Sequence, residues 1–155
     1  MADVALARLA EERKSWRKDH PPDFFARPAS NADGSTNLNR WDCGVPGKKG
    51  TAWENGVYPV TLVFSNDYPA KSPLCSFPAG FFHPNVFSNG DICLSIIGND
   101  WKPSITVKQI LIGIQDLLDN PNPLSPASTA ITVYEKNKKE YEKKILAQAK
   151  SYLPK

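Results

Sequence analysis

Between residues 24 and 77 the chain offers four strand-like runs with only turn chemistry between them. They are Phe24 to Pro28, Asn37 to Val45, Val57 to Phe64 and Leu74 to Phe77, punctuated by Asp33-Gly34 and Asn55-Gly56. Parallel strands need a crossover of about a dozen residues or more, usually a helix. The connections here are shorter. The runs therefore read as an antiparallel meander and not as strand–helix alternation, which confines helices to the two ends.

Those ends carry helical periodicity. Residues 3–18 read as a helix with Leu6, Leu9, Ala10 and Trp16 on or near one stripe, stopped by Asp19-His20-Pro21-Pro22. Thr106 to Leu118 is the clearest helix. Thr106 and Gln109 form a capping box, and Val107, Ile110, Leu111, Ile114, Leu117 and Leu118 recur at core-facing spacing. Thr129 to Asn137 and Lys138 to Tyr152 read as one or two further helices. Between Pro78 and Pro103 the pattern is irregular and rich in Pro, Gly and Asn. Phe81, Phe82, Phe87 and Trp101 mark that loop as packed, and a packed loop of this length is usually functional. A length of 155 residues with 41% apolar content suits one α+β domain over residues 1–155.

Composition excludes several classes. No apolar run is long enough to span a bilayer, and Met1-Ala2-Asp3-Val4 lacks a secretory pattern. No membrane association is expected. Cys43, Cys75 and Cys93 form no paired framework, and only His20 and His83 could join them, so no metal site is expected. The net charge of +3 is mild. Seven lysines against three glutamates from Glu135 to Lys155, and the cations of the first helix, read most simply as solvated faces. No glycine-rich or stacking motif points to nucleic acid.

The chemistry lies in His83 to Ile96, H-P-N-V-F-S-N-G-D-I-C-L-S-I. Cys93 is the candidate nucleophile, a thiol in a partly exposed loop. A cysteine protease would need a histidine base oriented by a third group. Only His83 is near, held before a proline. A thiol without a strong base suits thioester exchange, in which attack and departure are nearly balanced.

This segment resembles the active-site signature of ubiquitin-conjugating enzymes. The cysteine comes eight residues after the asparagine of H-P-N and the tryptophan eight after the cysteine, as in Asn85, Cys93 and Trp101. Tyr68 to Pro73 (Y-P-x-x-x-P) and the helix ending D-N-P-N-P extend the resemblance over essentially the whole chain. It implies that family's fold: an N-terminal helix, a four-stranded antiparallel sheet, an active-site loop and C-terminal helices. Within the family the chain is most similar to the SUMO-conjugating branch, through Arg8 to Pro21, Pro46 to Gly56 with Trp53, and Tyr141 to Lys150.

The resemblance implies that Cys93 takes SUMO from an activating enzyme as a thioester and passes it to a substrate lysine. Asn85 would brace the loop, donate to the oxyanion, or both. His83, Pro84 and Trp101 would be structural. Phe87, Asn89, Asp91, Ser125, Pro126 and Ala127 would line the substrate groove, with Ser125 also catalytic. Arg13, Lys14, Arg17 and His20 would meet the activating enzyme and a second, non-covalent modifier. A SUMO ligase would assist, ATP would be used upstream, no cofactor would bind, and a monomer in nucleus and cytoplasm is expected.

Departures qualify this picture. Phe87 stands where a tyrosine is common, Ser125 where aspartate is common, and Asp91 where a small hydroxyl residue is common. Asp91 either supplies missing negative charge or sits in solvent. Leu74 and Ser76 replace lysines that read a glutamate in the branch's substrate motif, leaving Lys71 as a candidate cation. The segment Ile96 to Trp101 has the shorter, ubiquitin-type length. This keeps a ubiquitin-conjugating enzyme as the alternative. A non-catalytic modifier-binding variant is disfavoured by the presence of Cys93.

Overall fold

In the computed structural model, which describes residues 2–154, the first helix, α1, runs Asp3–Lys18. Met1 and Lys155, the ends of the expected domain, lie outside the described residues. The buried face of α1 is Ala5, Leu9, Glu12 and Trp16. This corrects the expected stripe, since Leu6 is half-buried and Ala10 exposed. The helix is rotated because Glu12 is drawn inward. Its Oε1 accepts the Val107 N–H at 2.7 Å, and Arg8 pairs with its Oε2 at 3.1 Å.

Four strands follow: β1 (Phe25–Ser30), β2 (Thr36–Pro46), β3 (Val57–Val63) and β4 (Leu74–Ser76). They form one antiparallel sheet in sequence order. Alternation sets its faces. Tyr58, Val60 and Leu62 point inward from β3 and meet Val45, Cys43 and Trp41 of β2 as direct cross-strand partners. A register shift between Pro28 and Ala29 bends β1.

The inner face is covered by α2 (Val107–Asp119), whose six predicted apolar residues are all buried. Its capping box forms as read, with the Thr106 hydroxyl accepting from Gln109 N and the Gln109 side chain accepting from Thr106 N. Two helices end the chain, α3 (Ala130–Lys136) and α4 (Lys138–Ser151). Asn137 separates them in a non-helical conformation and caps α4 by accepting from Glu140 N. The Tyr152 carbonyl then accepts from Val57 N at 2.8 Å, fastening the C-terminal segment to the start of β3. Among the described residues no helix is long and apolar enough to cross a membrane.

Candidate active site around Cys93

The irregular stretch after β4 is held by two isolated bridges, Ser76 to Asp91 and Val86 to Ile92. Gly90 makes the turn between them. Its φ is +99°, and a Cβ there would strike the Phe77 carbonyl, so only glycine fits. The short extended piece Asp91–Ile92–Cys93 sends Ile92 into the core and leaves Asp91 and Cys93 facing outward, half-buried. Cys93 N donates to Asn85 O at 2.9 Å.

The three thiols are not equivalent. Cys43 and Cys75 are buried in the sheet, and burial pushes both thiols well above their ordinary range. Cys93 alone reaches solvent. It lines an open groove with Phe87, Leu94, Asn120, Asn122 and Ser125.

The H-P-N tripeptide clamps the far wall of that groove. The His83 carbonyl accepts from Ser128 Oγ at 3.0 Å, and the Pro84 carbonyl accepts from Ala127 N at 2.8 Å. The Asn85 side chain completes the clamp. Its Nδ2 donates to the carbonyls of Asn122 and Ser125, both at 2.8 Å, and its Oδ1 accepts from Asn122 N at 2.8 Å. Asn85 is fully buried, and both its amide hydrogens are engaged by the loop.

His83 is fixed as a neutral ring. Nε2 faces the Leu117 and Leu118 carbonyls at 2.8 and 3.2 Å and so must carry the hydrogen. Nδ1 accepts from Asn85 N at 3.0 Å. Burial lowers its pKa to about 4, against the pull of the two carbonyls. Trp53 packs against it, with ring centroids 5.8 Å apart. Neither nitrogen is free to act as a base.

The turn beyond Cys93, Ser95–Ile97, is pinned from two sides. Trp101 Nε1 donates to Pro69 O at 3.0 Å, and Ser72 Oγ donates to Ile97 O at 2.8 Å. The Tyr68 to Pro73 motif therefore anchors the shortened loop. Gly113 of α2 lets the Ile96 side chain close over the helix, where a Cβ would crowd it.

The sequence-predicted residues thus fall into four places. Cys93, Phe87 and Ser125 line the groove. His83, Pro84, Asn85, Pro126 and Ala127 lie in or beside the clamp, and Trp101 in the anchor. Asn89 and Asp91 stand on the outer rim, joined by a 3.2 Å hydrogen bond. Arg13, Lys14, Arg17 and His20 lie on α1 and just beyond it, and none lines the groove. His20 stacks on Trp16, with centroids 4.9 Å apart. Sequence reasoning missed Asn122, whose backbone meets both ends of the Asn85 amide, and Asp116, a groove residue whose Oδ1 holds Lys48 at 2.7 Å. A polar residue framed by prolines signals a turn but not the side chain that grips it.

The family model described as "Ubiquitin-conjugating enzyme" matches residues 8–149. The chain belongs to the ubiquitin-conjugating enzyme family. Its relatives within that family bear a narrower name. It is 59% identical to the SUMO-conjugating enzyme of Dictyostelium discoideum, over 99% of both chains. It is 55% identical to a SUMO-conjugating enzyme of Arabidopsis thaliana, over 96% of this chain and 95% of the relative. It is 50% identical to one of Caenorhabditis elegans, over 98% and 93%. The matched stretch, residues 8–149, takes in the thiol, the clamp and the anchor.

Proposed function

We propose that this protein is a SUMO-conjugating enzyme that carries SUMO as a thioester on Cys93 and transfers it to a substrate lysine. One observation carries the mechanism. Among the described residues Cys93 is the one thiol that reaches solvent, it is set in an open groove that no histidine lines, and the nearby His83 is buried, neutral and hydrogen-bonded through both ring nitrogens. The three relatives carry the choice of SUMO over ubiquitin.

The arrangement suits two exchanges. First the Cys93 thiolate attacks the thioester presented by an activating enzyme, and one C–S bond replaces another at little cost. Then a neutral lysine amine attacks the Cys93 thioester, an amide bond forms, the C–S bond breaks, and the amine's proton leaves to solvent. Without a free histidine to activate water, the thioester survives between the steps. Phe87 and the Ser125 segment partly desolvate the incoming lysine, which favours its neutral form. Asn85 holds the wall against which the lysine lies. Donation to the oxyanion requires it to release one of its two carbonyls.

The remaining parts follow from this role. ATP is consumed upstream, no cofactor is needed, and ligases and substrates meet the exposed rim. The cations of α1 receive the activating enzyme and a second, non-covalent SUMO. The protein acts as a monomer in nucleus and cytoplasm.

A charging assay tests the reading. The protein is incubated with ATP and either SUMO with its activating enzyme or ubiquitin with its own. A reductant-sensitive conjugate with SUMO, absent in Cys93→Ala, is expected. A conjugate with ubiquitin alone would reverse the assignment in favour of the shortened loop's ubiquitin-type length.

A further inference from the structure

The rim of the Cys93 groove carries an ordered charge pattern that the transfer chemistry leaves unused. Ser76 and Asp91 are directly opposed in an antiparallel bridge, so their side chains share one face. Their neighbours Cys75 and Ile92 are 1% and 8% exposed. Alternation therefore returns both Leu74 and Cys93 to the outer face, with Asp91 and Ser76. Leu74, 58% exposed, lies opposite Val63, 42% exposed, and the two make an apolar step beside the acid.

Asp91 is held for presentation. Its N–H donates to Asn89 Oδ1 at 3.0 Å, its carbonyl accepts from Phe87 N at 2.9 Å, and one carboxylate oxygen accepts from Asn89 Nδ2. Among the described residues no cation pairs with it. Lys71, the candidate cation on this side, faces Asp67 at 3.6 Å. The segments 72–101 and 109–134, which build most of the groove and its rim, contain Asp91, Asp100, Asp116 and Asp119 and no lysine or arginine, and of these acids Asp116 is paired from outside by Lys48.

Spacing turns this into a rule about the acceptor. In an extended peptide, residues two apart project on the same side about 6.6 Å from each other. Asp91 and Cys93 are themselves two apart in an extended segment. A peptide laid along this face with its target lysine at Cys93 thus places the side chain two residues away over Asp91. We infer that the preferred acceptor carries a basic residue two positions from the target lysine, with an aliphatic residue for the Leu74–Val63 step. This rests on the transfer function proposed above. It inverts the acidic preference that the family resemblance implied, because lysines are absent from positions 74 and 76 and an acid stands at 91.

The test starts from preformed Cys93–SUMO thioester, so that loading does not enter. Single-turnover discharge is timed on peptides identical except for Arg, Gln or Glu two residues after the lysine, and on a second series varied two residues before it. An exposed ion pair changes such a rate by about two- to five-fold, and exchanging attraction for repulsion compounds this to about ten-fold. In at least one series the order Arg, Gln, Glu is expected. The ratio should fall toward one in Asp91→Asn and shrink as salt is raised. Discharge onto Glu peptides as fast as onto Arg peptides in both series would overturn the inference. So would a preference that survives Asp91→Asn. Failure of the thioester to form would instead overturn the functional reading beneath it.

Discussion

The Asn85 and His83 side chains, behind the groove wall, work by holding backbone. Asn85 makes three hydrogen bonds to the loop that presents Ser125. Asn85→Ala leaves those buried groups unpaired and is expected to cost about 2–3 kcal/mol of stability, read from the denaturant midpoint. Loosening that wall should also slow discharge to lysine by about 10-fold or more. His83 gives a pH signature. Unfolded, it takes up a proton near 6.5; folded, only near 4. Between these values the unfolded state binds the extra proton. The contribution of His83 is therefore complete above pH 6.5 and falls by up to about 3 kcal/mol as the pH drops toward 4. In His83→Gln the urea midpoint should be lower at pH 7 and decline less steeply across that window. Cys93 was legible because its spacing to Asn85 and Trp101 is a property of the chain. Glu12 was not, because a glutamate on a charged helix reads as solvated until the helix it caps is placed beside it.

At the scale of elements, α2 was read almost to its ends because its signals are local. The capping box and the apolar stripe lie within one segment, and Pro121 and Pro123 close it. The start of α2 is nevertheless a joint with α1. Thr106→Ala removes the local cap and should cost about 1 kcal/mol. Glu12→Ala leaves both the Val107 N–H and Arg8 without their partner and should cost more, about 2–3 kcal/mol. Thermal unfolding of the two variants measures the order, and equal costs would show that Glu12 contributes little. The stripe of α1 was misjudged for the same reason, since its rotation is set by a contact 95 residues away. The shift in β1 at Pro28 was equally invisible, because register depends on the partner strand.

Over the whole molecule the charges are segregated. A net +3 conceals a groove whose main segments, 72–101 and 109–134, contain no lysine or arginine and which meets Lys48 only through its pair with Asp116, while Arg8, Arg13, Lys14, Arg17 and Lys18 crowd α1. Under the proposed function the α1 cations, none of which lines the groove, steer acidic partners. Arg13→Ala with Arg17→Ala is expected to slow charging several-fold at low salt while discharge from preformed thioester stays near the wild-type rate. A matching loss of discharge would place these residues in the transfer step instead. The account as a whole rests on one covalent state of one residue. Intact-mass and peptide-mapping spectrometry of the charged protein tests it most directly. The expected result is the mass of one SUMO less one water, located on the Cys93 peptide and released by reductant. A SUMO adduct confined to lysine and resistant to reductant, with Cys93 free, would contradict it.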